Sequence, residues 1–159
     1  MKQDMTAACG DGIINIRVGA IIIKDGRILM AGNSNVNHLY SLGGRLKFGE
    51  TAGEAVVREV LEETGVRMEI DRLAFVHENY FTLDSAEVSG KAIYEISLFF
   101  IMKMPENFTP ICQSITEDGS PEFLCWITPD TAKTIYPEFF RTELFPLPST
   151  VKHIVTREI

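Results

Sequence analysis

Glu59, Glu62 and Glu63 are crowded into a short stretch directly after Arg58. On a helix, at about 100° per residue, they share one arc roughly 100° wide with the small Ala52 and Ala55. Glu59 then faces Glu62 at i,i+3 and Glu63 at i,i+4. Each such like-charge pair costs a helix about 0.2–0.5 kcal/mol, and the group lies near the negative end of the macrodipole. Arg58 can hold one carboxylate through a bidentate pair, but one guanidinium does not neutralise three glutamates and Glu50 upstream. Hard divalent cations complement clustered carboxylate oxygens. Mg²⁺ and Mn²⁺ in particular bind through a few carboxylates together with water and substrate phosphates. A solvated acidic helix face is the simpler alternative, and the residues before the helix argue against it.

The elements that must position these groups are legible. Thr51 caps a helix, Glu54 completes a T-x-x-E capping box, and Gly65 stands where a left-handed residue ends it. Between them, 52–64 contains no proline and only Gly53 as an internal glycine. Val56, Val57, Val60 and Leu61 form an apolar arc to bury. Upstream, Gly43-Gly44 and Gly49 predict a glycine-rich turn that permits close backbone approach. Gly44 and Gly49 have P-loop spacing, yet Glu50 stands where that loop needs a lysine on the phosphates. A carboxylate there repels bare phosphate, unless metal ions sit between the acidic helix and a polyphosphate. The pattern therefore points to metal-assisted phosphoryl chemistry without a Walker loop.

The stretch from Gly44 to Val66 resembles the Nudix box, G-x5-E-x7-R-E-U-x-E-E-x-G-U with U aliphatic. Gly44, Glu50, Arg58, Glu59, Val60, Glu62, Glu63, Gly65 and Val66 meet every fixed position. Leu42 departs from the proline common before the two glycines, a change in turn stiffness more than in chemistry. The resemblance implies an α/β fold, an α/β/α sandwich around a mixed β-sheet. It also implies a metal-dependent pyrophosphohydrolase that cleaves a nucleoside diphosphate linked to another moiety, such as a nucleoside triphosphate, a nucleotide sugar or a dinucleoside polyphosphate. In that reading Glu59, Glu62 and Glu63 hold Mg²⁺ or Mn²⁺, with the Gly43 or Gly44 carbonyl as a further ligand. Arg58 positions Glu59 or Glu62, Glu50 reaches the metals through water, and one of the box glutamates or Glu117 takes the proton from water. Glu117 best matches a further glutamate that some family members place before a tryptophan strand, here the one carrying Trp126, and Glu122 is second. Two alternatives remain: a non-catalytic nucleotide sensor, and an isopentenyl diphosphate isomerase, which needs a cysteine absent near the glycine turn.

The rest of the 159-residue chain reads as one domain, residues 1–159. A net charge of −7 gives no field that attracts nucleic acid or anionic membrane, so any polyanionic substrate must be brought in by metal or a local basic patch. The resemblance implies a small-molecule nucleotide diphosphate derivative. Cys9, Cys112 and Cys125 form no C-x-x-C pair and fit free thiols. With neither an apolar leader before Ile13 nor a membrane-length apolar run, the expected location is the cytoplasm. A homodimer is compatible with the chain, since dimers are common.

Residues 13–23 and 27–30 read as two strands joined at Asp25-Gly26, and 32–38 as a loop ending at His38. Arg17, the one charge in the first strand, is either an outward residue or, by the resemblance, a phosphate or base contact. Residues 68–81 and 91–104 read as further strands, with His77 as a hydrogen-bonded strand residue. Tyr80 and Phe81 lie near positions where the family distinguishes substrate classes, and either ring is suited to stacking on a base or sugar. Residues 122–128 predict a late strand, 129–131 the start of a short helix, and 137–145 another helical turn or two packed through Phe139, Phe140, Leu144 and Phe145. The segment after Pro148 is a tail or an added edge.

Overall fold

The computed structural model of the protein describes residues 2–82, 90–110, 116 and 119–158. Strands, in chain order, are β1 (Thr6–Cys9), β2 (Gly12–Ile21), β3 (Ile23–Lys24), β4 (Arg27–Asn33), β5 (His38–Arg45), β6 (Glu69–Thr82), β7 (Ala92–Lys103), β8 (Glu122–Ile127), β9 (Thr134–Tyr136) and β10 (Lys152–Arg157). The helices are α1 (Ala52–Thr64) and the short α2 (Phe140–Glu143). Among the described residues the strands join in the order β10-β6-β7-β2-β5-β4-β3, with β1 added to β2, β8 to β4 and β9 to β5. The sheet is mixed, because β2/β7, β5/β9 and β6/β10 pair in parallel.

Local chemistry accounts for the joints. β3 and β4 form a tight hairpin through Asp25 (φ 51°) and Gly26 (φ 73°), the paired positive φ of a two-residue turn that follows strand twist. Helix α1 has the expected capping box. Glu54 N–H donates to the Thr51 hydroxyl at 3.2 Å, and Thr51 N–H donates to the Glu54 carboxylate at 2.8 Å. Left-handed Gly65 (φ 75°) closes the helix by donating to the Leu61 carbonyl.

Period-two alternation gives the sheet two apolar faces. Val18, Ala20 and Leu42 pack with Ala55, Val56 and Val60 of α1. Ile21, Ile28, Phe75 and Phe99 pack with Phe140 and Leu144 at α2. Helix, sheet and short helix thus make the three layers.

Several sequence expectations are corrected. The Gly43-Gly44 pair is not a turn but lies inside β5, where Gly43 and Gly44 pair with Gly19 and Val18. The apolar arc of α1 is rotated. Leu61 is 43% exposed, whereas Ala55 and Glu63 are buried, because the helix docks on the side where β5 has glycines and α1 has alanines. Residues 129–131 start no helix. They form a turn before β9, and Arg141 fixes its carbonyls by donating to Pro129, Thr131 and Lys133. The loop after β4 is shorter than expected, since β4 runs to Asn33 and β5 starts at His38. Phe145 is 40% exposed, while Phe140 and Leu144 carry the packing. The segment after Pro148 supplies an edge, β10 on β6. Cys112 and Glu117 lie outside the described residues. Among the described residues no helix is long and apolar enough to cross a membrane.

His77 on β6 is buried and its Nε2 meets the Thr156 hydroxyl at 2.8 Å. Burial lowers its pKa from 6.5 to about 4, so the folded chain holds the ring neutral. Protonation therefore favours the unfolded chain, and the associated stability is lost as pH falls from 6.5 towards 4. Urea unfolding should show the wild type losing stability relative to His77→Gln across that window. A difference that stays constant with pH would remove this assignment.

Candidate active site

Helix α1 lies against β5 so closely that its acidic edge is built into the contact. A Cβ on Gly44 would overlap the Glu59 carboxylate, and one on Gly43 would overlap the Val18 carbonyl oxygen. Gly43 also has φ 142°, a conformation that side-chain-bearing residues rarely adopt. Gly44 thus sets the approach of the helix at Glu59, while Gly43 lets β5 lie close against the β2 backbone. The Gly43 N–H donates to Glu63 Oε1 at 3.1 Å. Glu63 Oε2 is buried without a hydrogen-bond partner. Burial raises the Glu63 pKa well above the usual carboxylate value. Glu122 and Glu59 add to the rise, while the Gly43 N–H and Arg17 oppose it.

Arg58 organises the remaining carboxylates. Its guanidinium donates to both oxygens of Glu50, from Nη2 at 2.6 Å and from Nε at 3.1 Å. Nη1 donates to Glu59 at 2.8 Å and reaches Glu62 only at 3.5 Å. Nη2 also reaches the Arg45 carbonyl at 3.3 Å, tying the helix to the end of β5. Hydrogen bonding to Arg58 holds the Glu50 carboxyl below its ordinary value, and the same bond raises Arg58 further above its own. Glu59 is raised by burial, with Arg58 opposing. Glu62, at 53% side-chain exposure, is the loosely held member.

The structure thus brings Arg58, Glu59, Glu62, Glu63, Gly43 and Gly44 together. Glu122, at the start of β8, joins them electrostatically through Glu63 and accepts a hydrogen bond from the Tyr40 hydroxyl. That hydroxyl, partly buried beside two carboxylates, is raised above its ordinary pKa, chiefly by burial and by the bond to Glu122. Among the described residues no three acidic, histidine or cysteine side chains converge as a finished cation site. Arg58 draws the Glu59 and Glu62 carboxylates to itself. The donor set nevertheless fits a hard divalent cation: the oxygen of Glu63 without a partner and the Glu59 carboxylate packed on a bare glycine.

On the sheet's other face a cleft of about 800 Å³ opens beside β5 and the start of α2. Arg17 and Phe81 line it, with His38, Tyr136 and Phe99. Tyr80 does not. It stacks on Tyr94 with ring centroids 4.6 Å apart, under the Arg157 guanidinium, because strand alternation turns it away from Phe81. Sequence reasoning missed Asn15, Asn79, Glu95 and Ser97 on the cleft floor. The available signal was their recurrence at every second position of otherwise apolar strands, as in I-N-I-R-V and Y-E-I-S-L.

The family model for the NUDIX domain matches residues 14–146. A MutT-like protein from Streptomyces ambofaciens is 39% identical over 61 residues, covering 38% of this chain and 40% of that protein. The match therefore spans less than half of that relative's length. Among solved structures, a MutT NUDIX hydrolase from Burkholderia pseudomallei superposes with TM-score 0.60 at 22% identity, over 80% of this chain and 95% of that one. An ADP-ribose pyrophosphatase from Streptococcus suis 89-1591 gives TM-score 0.58 at 13% identity, over 89% and 98%. At such identities the likeness is one of fold, and it agrees with the mixed sheet and flanking helices described above.

Two substitutions test how the site is built. Arg58→Ala should cost about 2–3 kcal/mol in urea unfolding, because it leaves Glu50, 6% exposed, without its cation. The value sits below that of a fully buried pair because Arg58 is itself 24% exposed. Gly43→Ala should cost more than Gly44→Ala, since backbone blocks the first and a movable carboxylate the second. Equal thermal shifts for the two glycine variants would contradict this packing.

Proposed function

This chain belongs to the NUDIX domain family, and we propose that it hydrolyses a diphosphate linkage in a nucleoside diphosphate joined to a second moiety. The observation that carries the reading is the buried Glu63 carboxylate, anchored through one oxygen by the Gly43 N–H and with no partner on the other. A buried carboxylate left half-satisfied is costly. Chains keep such a group where a ligand completes it.

Glu59 and Glu63, with the carbonyl of Gly43 or Gly44, would hold Mg²⁺ or Mn²⁺. When bound, such an ion supplies charge neutralisation on the phosphate oxygens and a lowered pKa for water. Arg58 fixes Glu59 against Gly44 while keeping Glu50 charged and in place. Arg17 sits between the acidic pair, which it influences electrostatically, and the cleft floor it helps line. Its role is to orient a phosphate between the two. Glu62, exposed and weakly tethered, is free to reach an attacking water and accept its proton. Glu122 closes the acidic group from β8, and Glu117 is a further proposed proton acceptor. The free thiols Cys9 and Cys125 fit a reducing cytoplasmic setting.

The reading predicts opposite effects of one substitution on activity and stability. Glu63→Gln should lower turnover by about 10²-fold or more, and in chelator its melting temperature should equal or exceed the wild-type value. It removes a ligand oxygen and also a buried charge lacking a full set of partners. The assay is release of phosphate, pyrophosphate or nucleoside monophosphate from nucleoside triphosphates, nucleotide sugars and dinucleoside polyphosphates, with Mg²⁺, Mn²⁺ or chelator. Wild-type rates in Glu63→Gln on every cleaved compound would refute the assignment. Binding of these compounds without turnover under any metal would favour a sensor instead.

A further inference from the structure

The face of the sheet that carries α2 is divided. Towards α2 it is apolar, with Ile21, Phe75 and Phe99 in the core. Beyond Phe99 the same inward positions turn polar on adjacent strands. Strand register aligns Thr156, Asn79, Glu95, Asn15 and Thr6 as one row across β10, β6, β7, β2 and β1. A second row aligns His77, Ser97, Arg17 and Arg45. Their neighbours along β2 and β7 on the opposite face, such as Ile14, Ile16 and Ile96, are apolar. The alternation is therefore intact, and its inward half is polar where a core face is normally apolar.

Much of the first row is already engaged. The Thr6 hydroxyl donates to Asn15 Oδ1, and Asn15 Nδ2 donates to Glu95 at 3.5 Å. The Thr156 hydroxyl donates to Asn79 Oδ1 at 2.6 Å and also meets His77. These bonds fix the amides and leave Glu95 at the centre. Its carboxylate is 17% exposed and is held loosely, 3.5 Å from Asn15 Nδ2 and 3.9 Å from Arg17 Nε. A carboxylate offers about four lone-pair sites and accepts two parallel donors readily. Phe81, two residues beyond Asn79 on the same strand face, places an aromatic ring beside the row.

We propose that this polar floor binds the group attached to the diphosphate, and that Glu95 selects a group presenting two adjacent hydrogen-bond donors. The inference deepens the hydrolase reading and rests on it for the position of the diphosphate. Two ligand sources have that chemistry. One is the guanine edge, with ring N–H beside exocyclic amine. The other is a vicinal pair of sugar hydroxyls. A uracil or thymine edge, whose single N–H lies between two carbonyls, is repelled. Adenine and cytosine offer a donor beside an acceptor and satisfy only one oxygen.

Paired probes that differ by one donor test this in chelator, independently of turnover. NMR titrations would compare deoxyguanosine with deoxyinosine monophosphate, and ribose 5-phosphate with 2-deoxyribose 5-phosphate. The proposal expects one pair to be separated by roughly tenfold or more in affinity, with the two-donor member tighter. Separation of the first pair identifies a base, and of the second a sugar. In Glu95→Gln or Glu95→Asp the preference should fall to within about threefold. If the wild type separates neither pair, binds none of the four, or keeps its preference in a folded Glu95 variant, the proposal is overturned. Metal-dependent cleavage without donor preference would remove this inference and leave the hydrolase reading intact. Donor preference without cleavage of any compound would do the reverse.

Discussion

Like charge on one flank of one helix is the constraint around which this structure is arranged. Glu59, Glu62 and Glu63 repel each other at helical spacing, and Glu50 adds a fourth carboxylate at the entry to α1. The fold accommodates them with a single guanidinium placed between helix and strand. Arg58 binds Glu50 through two bonds, Glu59 through one, and the Arg45 carbonyl at the end of β5. Because Arg58 is committed to Glu50 and Glu59, it offers nothing to Glu63. That carboxylate is docked through a backbone N–H instead, and its other oxygen is buried without a hydrogen-bond partner.

The docking depends on Gly44, which leaves β5 without a side chain where Glu59 presses on it. Gly44 accommodates the Glu59 carboxylate, and Gly43 accommodates the neighbouring strand's carbonyl. The two glycines lie inside a strand and not in a turn. Gly43 and Gly44 lie in register with Gly19 and Val18 of β2, and the Gly43 N–H is held by Glu63. The strand backbone thereby presents an N–H to the buried end of the acidic helix.

The same strands then serve two purposes. β2, β6 and β7 direct apolar residues towards α2 at one end and polar residues towards a cleft at the other. Arg17 stands near the boundary, close enough to influence Glu59 and Glu63 and paired loosely with Glu95. A rigid sheet thereby links the acidic group to the floor that would recognise the rest of a substrate, without relying on a loop for either.

The sequence by itself determined α1, its capping box and its glycine terminus, because those rest on contacts within a few residues. It determined the acidic group for the same reason, since i,i+3 and i,i+4 spacing is read directly from the chain. The hairpin at Asp25-Gly26 and the late strand with Trp126 were likewise local. The tertiary structure alone decided which arc of α1 is buried, because that depended on glycines in a strand it meets only after folding. It decided that Gly43-Gly44 pairs with β2 and does not turn, and that 129–131 is a turn fixed by Arg141. It also separated Phe81 from Tyr80 and assembled Thr156, Asn79, Glu95, Asn15 and Thr6 into one row. Strand register brings together residues far apart in sequence, and alternation marks which residues share a face without saying which strand lies alongside.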